Sequence, residues 1–237
     1  FFLTLNFSST SKDDPILIPH EFKKREDIEI SAFITSVISW GNRKTIIKSS
    51  RKIMGYMENS PYDFVMNHNK KDLLDNNKSI HRTFNMTDLN YFIISLKNIY
   101  KNYGGIEDII SNKKNGVNIQ ERISFFKKIF FTLEHPKRTL KHLPSPMDGS
   151  SAKRFNMFLR WMVRSNEKGV DFGIWKKIKK SELSIPLDVH TGRISRDLGI
   201  LSRKQNDSKS VNEIDKRLRE MDPIDPVKYD YALFGLG

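Results

Sequence analysis

Cysteine is missing from all 237 residues. That absence removes disulfides, thiolate zinc sites and iron–sulfur clusters together. Long apolar runs are missing too: none nears the ~20 residues that a membrane-spanning helix needs. "FFLTLNF" at 1–7 is too short for a signal peptide and lacks its basic flank and cleavage site. The chain opens on Phe1 rather than Met, which points to a truncated start. No P-loop, GxGxxG, HExxH or GxSxG pattern occurs, so phosphate-loop, dinucleotide, zincin and serine-elbow chemistry find no support, and neither a metal nor a cofactor is expected. Nor does any segment sustain the two-residue alternation of a strand, and no repeat or Ser/Gly linker cuts the chain into separate domains.

Acids are in the minority: 28 Asp and Glu against 41 Lys and Arg, a net charge of +13. Such a balance invites a polyanion, because Lys and Arg near phosphates release counterions. Lys, Asn, Ile and Phe are also the set that an AT-rich genome inflates, so the charge is supporting evidence only. With 38% hydrophobic residues the chain is neither disordered nor a membrane protein, and its length suits one two-lobed unit.

Helical periodicity runs through most of the chain. In "EDIEISAFITSVISWG" Ile30, Phe33, Ile34, Val37 and Ile38 share a face, and Gly41 closes the segment. "RKTIIKSSRKIMGYMENSP" repeats the pattern through Ile46, Ile53 and Met57. "TDLNYFIISLKNIYKNYGG" is expected to open on Thr87 as cap, to bury Leu89, Phe92, Leu96, Tyr100 and Tyr103, and to close on Gly104. "NIQERISFFKKIFF" carries Asn118 and Glu121 at capping spacing. "SVNEIDKRLREMDP" shows a Ser210–Glu213 capping box with Val211, Ile214, Leu218 and Met221 inward, and "DPVKYDYALFGLG" begins on Asp225 and Pro226. The expected fold is all-α: one unit of 237 residues, with 27–135 mainly in a first lobe and 136–237 in a second.

Two stretches carry candidate chemistry. In "HLPSPMDGSSAKRFNMFLRWMVR" (142–164) a Pro/Gly/Ser loop enters a strong helix that Ser150 or Ser151 could cap, with Lys153 in its first turn. A cation is disfavoured at the positive end of a helix, which favours a neutral amine able to form a Schiff base with a sugar carbon; a surface lysine is the bland alternative. Free N–H groups of Gly149, Ser150 and Ser151 suit a phosphate. In "SIPLDVHTGRISRDLG" (184–199) Asp188 sits where an extended segment becomes a helix. It caps that helix, or it also faces a reacting sugar.

"PLDVHTGRI" resembles the segment that follows the hairpin in helix-hairpin-helix (HhH-GPD) base-excision DNA glycosylases, and is most similar to the 8-oxoguanine enzymes. Over nearly its whole length, through "DPILIPHEF", "DIEISAFITSVISWGNRKTI", "HRTFN", "FLRWMVR", "VDFGIW" and "DPVKYDYALFGLG", the chain also resembles a bacterial family of conserved hypothetical proteins. The glycosylase resemblance implies a two-lobed helical fold with a degenerate hairpin, since "HLPSPMDGSSAK" is longer and poorer in glycine than the family's Leu-Pro-Gly-x-Gly. It implies Asp188 as catalytic carboxylate, Lys153 as Schiff-base amine, and His190 beside the DNA backbone. Double-stranded DNA with a damaged or abasic nucleotide would be the partner, with a monomeric enzyme in the bacterial cytoplasm, at the nucleoid. Arg154, Arg193 and Arg196 could hold phosphates, or serve as solvated charges. Trp40, Phe84, Trp161 and Trp175 could stack on a base or wedge the duplex, or pack as core. Two rivals stand beside this expectation: a non-catalytic nucleic-acid-binding relative, and a helical interaction module.

Overall fold

Apolar side chains recurring at helical spacing leave little choice but helices that bury one face against their neighbours. The computed structural model describes residues 14–74, 76–165 and 170–236; the opening "FFLTLNF" lies outside them. In chain order the elements are α1 (Leu17–His20), α2 (Arg25–Val37), α3 (Arg43–Tyr56), α4 (Pro61–Asn67), β1 (Ser79–His81), β2 (Phe84–Asn85), α5 (Met86–Tyr103), α6 (Ile106–Ser111), α7 (Ile119–Phe130), α8 (Lys153–Val163), α9 (Val189–Asp197), α10 (Ser208–Met221) and α11 (Asp230–Gly235), with short 3-10 turns between. The protein is mainly α-helical. Among the described residues no helix is long and apolar enough to cross a membrane.

Two hydrophobic cores form among the described residues. The larger is centred on Phe33 of α2, which meets Phe92, Phe126, Phe130, Phe155 and Phe158 at centroid distances of 5.6–6.1 Å. These are edge-on, tilted and stacked arrangements, each adding to the area that the rings bury. The smaller core gathers Ile185, Leu187, Leu201, Val211, Ile214, Leu218 and Leu233. Residues 136–183, expected with the second lobe, give Leu143, Phe155, Leu159, Trp161 and Trp175 to the larger core.

Several local expectations are corrected. The α5 helix is capped by Asn85, which accepts the N–H of Asp88 while Asp88 accepts that of Asn85; Thr87 already lies inside the helix. Tyr103 points outward, because the last turn of α5 has passed beyond the core. Asp207 rather than Ser210 caps α10 and accepts the Ser210 N–H, while Glu213 binds Ser202 instead of closing a box. Met221, at the frayed end, is exposed. Residues Pro226–Tyr229 make a 3-10 turn that precedes the final helix. The strands β1 and β2 form a small antiparallel hairpin, too short to show an alternating pattern. Asn118 caps α7 and Gly104 (φ 80°) ends α5 as the sequence implied.

Candidate functional site

The loop 143–152 owes its shape to proline and to left-handed backbone. Pro146 starts a 3-10 turn that Gly149 ends at φ 88°. Ala152, not Ser150 or Ser151, is the residue before α8, and it too is left-handed at φ 45°. A side chain there costs about 1 kcal/mol or more, so the surrounding structure has to enforce it. It does so by several bonds. The Ser145 hydroxyl and the Met147 N–H both donate to the Ser124 hydroxyl, and the Ser208 N–H donates to the Gly149 carbonyl. The buried Asn156 accepts from Gln120 and donates to the Ser151 carbonyl, each at 3.0 Å. Lys153 is thereby fixed as the first residue of α8.

On the other side, Ile185 and Leu187 sink into the smaller core, and Asp188 follows in extended conformation. Its Oδ1 accepts the Thr191 N–H at 2.9 Å, the capping bond, while Asn206 donates to its backbone carbonyl at 2.9 Å. The second oxygen does something that capping does not require: Oδ2 lies 3.0 Å from Nζ of Lys153. The two side chains keep 37% (Lys153) and 13% (Asp188) of their surface exposed, so the pair is reachable. Burial alone would raise the Asp188 carboxyl; the Lys153 ammonium and the Thr191 N–H outweigh it and hold the group below its ordinary range.

Both residues line an open cleft of ≈ 730 Å³, within the size range of small-molecule sites, about 300–1,000 Å³. Four helices begin at its walls: α3 with Arg43, α8 with Lys153 and Arg154, α9 with Val189 and His190, and α11 with Asp230 and Tyr231. The first three have no acid in the first turn; α11 has Asp230, which pairs with Arg160. Helix N-termini already carry partial positive charge, and adding cations there is unfavourable unless an anion arrives. Arg154 makes the point sharply. It lies over the Trp40 ring at 4.7 Å and donates to the Val37 carbonyl, but no carboxylate among the described residues pairs with it. Burial pulls its guanidinium down to about 10. Arg160, by contrast, is neutralised in the cleft floor by Asp230 and Asp171.

The structure brings together Lys153, Asp188, Ser150, Ser151, Arg154, His190 and Trp40 as cleft-lining residues. Gly149 is in the fastened loop, but its N–H and that of Ser150 are already donated, to Pro146 and Ser145, so these amides are not the free phosphate donors expected. Arg193 is exposed on α9, outside the cleft lining. Arg196 ties α9 to the 203–206 loop by donating to the carbonyls of Arg203, Lys204 and Gln205 and to the Asn206 side-chain oxygen. Phe84, Trp161 and Trp175 are sealed in the larger core, at 0%, 1% and 1% exposure, which removes them as base-stacking or wedge residues. Packing won there: Phe84 and Trp161 face the core from β2 and α8, and Trp175, in the irregular segment after α8, donates its indole N–H to the buried Glu29. Sequence reasoning missed Arg160, further along α8 itself, and Arg43, Asp230 and Phe234, which reach the cleft from remote segments. Phe234 stands between Arg43, 5.6 Å from its ring, and His190, 6.2 Å away. A faint signal existed for each, since Arg43 falls in "SVISWGNRKTI", Arg160 in "FLRWMVR", and Asp230 and Phe234 in "DPVKYDYALFGLG", the stretches that carry the family resemblance.

Among the described residues no group of three or more His, Asp or Glu is placed to hold a metal ion. A family model described as a protein of unknown function, DUF2400, matches residues 14–237. No curated protein and no solved structure matches the chain.

Proposed function

We propose that this chain, which belongs to the DUF2400 family, is a DNA-binding enzyme of glycosylase type with abasic-site lyase chemistry, built on an HhH-GPD-like two-lobed scaffold. The observation that carries the reading is the Lys153–Asp188 contact at 3.0 Å inside an open cleft, on walls whose helix N-termini and unpaired Arg154 call for an anion. The duplex would present one nucleotide, turned out of its stack at a cost of a few kcal/mol, to that cleft. Trp40, backed by His142 and held by His81, offers a ring at the wall for the base or sugar.

The chemistry follows from the pair. At rest Lys153 is an ammonium beside a carboxylate. As the N-glycosidic bond breaks, the departing base takes a proton from Lys153, and the freed amine bonds to C1′. Asp188 offsets the positive charge that grows on the sugar, the kind of fixed electrostatic help that is strongest in a partly dry site. The ring oxygen then leaves C1′ with a proton, giving an iminium; an abasic aldehyde reaches the same iminium by losing water. Removal of a C2′ proton expels the 3′ phosphate and nicks the strand. The cap explains Oδ1 of Asp188, and this chemistry explains why an acid rather than an amide stands there.

The test is incubation with duplexes carrying an abasic site or 8-oxoguanine in the presence of borohydride, which reduces the iminium to a stable amine. A covalent protein–DNA adduct that depends on Lys153 is expected. Absence of an adduct with either duplex, under conditions where the protein is folded, refutes the reading.

A further inference from the structure

The β1–β2 hairpin turns through Arg82 and Thr83, and Arg82 takes the left-handed region at φ 51°. Gly, Asn or Asp serve that position at less cost than arginine. The fold gains nothing visible from the choice. Arg82 is exposed, and among the described residues its guanidinium has no carboxylate, acceptor or ring partner. What surrounds it is nevertheless tightly fixed. Arg138 donates to the Thr83 carbonyl at 2.8 Å and pairs with the buried Asp88 at 3.3 Å, bracing the turn from behind. His81 bonds the Trp40 carbonyl at 2.9 Å and the Ser49 hydroxyl at 3.2 Å, which locks the hairpin to the cleft wall. The Arg82 side chain lies across Gly41, a cleft residue at φ 97°, where a Cβ would come within 2.7 Å of Nη1. This guanidinium thus stands beside the rim, where Arg43 and Lys44, which follow Gly41 closely in the chain, are also exposed.

We infer that Arg82 is a phosphate-binding point outside the cleft, which grips the phosphodiester backbone of the DNA strand flanking the nucleotide held at Lys153 and Asp188. The inference rests on the DNA reading above and adds a second contact on a separate element. The backbone beneath this guanidinium is already ordered by the brace, and the side chain has no internal partner to give up when a phosphate arrives. The braced, left-handed turn fixes where the Arg82 backbone stands above the rim, and the unpaired guanidinium reaches out from there.

The experiment measures affinity for a duplex carrying a tetrahydrofuran abasic analogue, which cannot form a Schiff base, over a series of salt concentrations. Each phosphate contact adds about 0.9 to the slope of log K against log salt. Arg82→Gln should flatten the slope by about that amount and weaken binding about threefold or more at one moderate salt concentration. The control is Lys101→Gln, near the far end of α5, about 22 Å along the helix from Met86 at 1.5 Å per residue; it removes the same charge and should leave the slope alone. Equal effects of the two variants, or no effect of Arg82→Gln, overturn the inference. Borohydride trapping on a true abasic site is run alongside with the unaltered protein. Trapping with no effect of Arg82→Gln sinks the hairpin contact and leaves the enzyme reading standing; neither trapping nor binding sinks both.

Discussion

Replacing Asp188 by Asn separates its two oxygens. The capping bond from the Thr191 N–H to Oδ1 has a carbonyl oxygen to go to in the variant, and Asn caps helices about as well as Asp. What disappears is the charge on the oxygen 3.0 Å from Lys153. Because the lysine side chain keeps more than a third of its exposure, solvent screens that pair, and its loss should cost no more than about 1 kcal/mol of folding stability. For a chain of this size that is a fall in Tm of about 2–4 °C. The catalytic cost is of another order. Removing one fixed electrostatic stabiliser typically lowers turnover about 10²–10³-fold, equal to about 2.7–4 kcal/mol, and a full charge next to an oxocarbenium-like sugar belongs at the upper end or beyond. Single-turnover release of the damaged base, followed beside thermal unfolding and binding of a non-cleavable duplex, gives all three quantities. Base release should collapse while Tm and affinity barely move. Full base release by Asp188→Asn would show the carboxylate to be a cap alone, and the chemistry proposed for the pair would be wrong.

Lys153→Gln should abolish the borohydride adduct on a ready-made abasic site while leaving duplex binding within about threefold, read by gel and by titration; an adduct of wild-type yield would place the Schiff base on another amine. Asp215 is buried, and burial lifts its carboxyl from 3.8 to about 6 despite Arg219 and the Ser184 and Ile185 donors. The folded state therefore holds this proton more tightly than the unfolded one, so the stability linked to it is present below pH 3.8 and is lost as pH rises to about 6. Asp215→Asn should gain about 2 kcal/mol relative to the unaltered protein on going from pH 4.5 to 7.5 in urea unfolding, and a pH-independent difference would contradict that. Asp88 is the opposite case: burial would raise it, but His142, Asn85 and Thr139 hold it below its ordinary value, so its contribution is lost as pH falls through that lowered value. Asp88→Ala leaves His142 and Thr139 without their buried acceptor and should cost about 3 kcal/mol, or a Tm loss of about 10 °C; a shift under 2 °C would mean the network relaxes freely. Gly192→Ala puts a Cβ within 2.5 Å of Asn206, which holds the Asp188 carbonyl, so the helix should gain none of alanine's usual ~1 kcal/mol while base release slows.

The helices were legible because their signal is repeated along the chain: a misjudged residue in α2 or α7 does not disturb the period of the others. Asn118 and Asp188 were legible as caps too, but other helix starts were not, because several Asn, Asp, Ser or Thr side chains compete for a cap. Thr87 and Asn85 both qualify by residue type; the winner is the one whose backbone the preceding hairpin holds extended, a non-local fact. The same applies to Asp207, which the Arg203 guanidinium fixes in place four residues on. The hairpin itself could not be read from strands of three and two residues. Aromatic residues misled in the other direction. Trp161 and Trp175 are chemically able to stack on a base, and only burial shows that they cannot.

For the site, sequence could mark Asp188 and Lys153 individually, each at a helix start after a proline-containing segment, but their 3.0 Å approach depends on how the second core docks beside the first. Docking also decides the electrostatics. A cation in the first turn of a helix is a minor local penalty when that helix is considered by itself. Of the four helices that start at this cleft, α3, α8 and α9 have no acid in the first turn, so three such ends and their basic side chains add up in one place; Asp230 at the start of α11 is paired with Arg160, and Arg154 has no carboxylate partner among the described residues. Codon bias can raise the number of lysines over a whole surface, but it has no means of aiming three helix starts at a common point. That convergence, rather than the net charge of +13, is the physical reason to look for a phosphate-bearing substrate in the cleft.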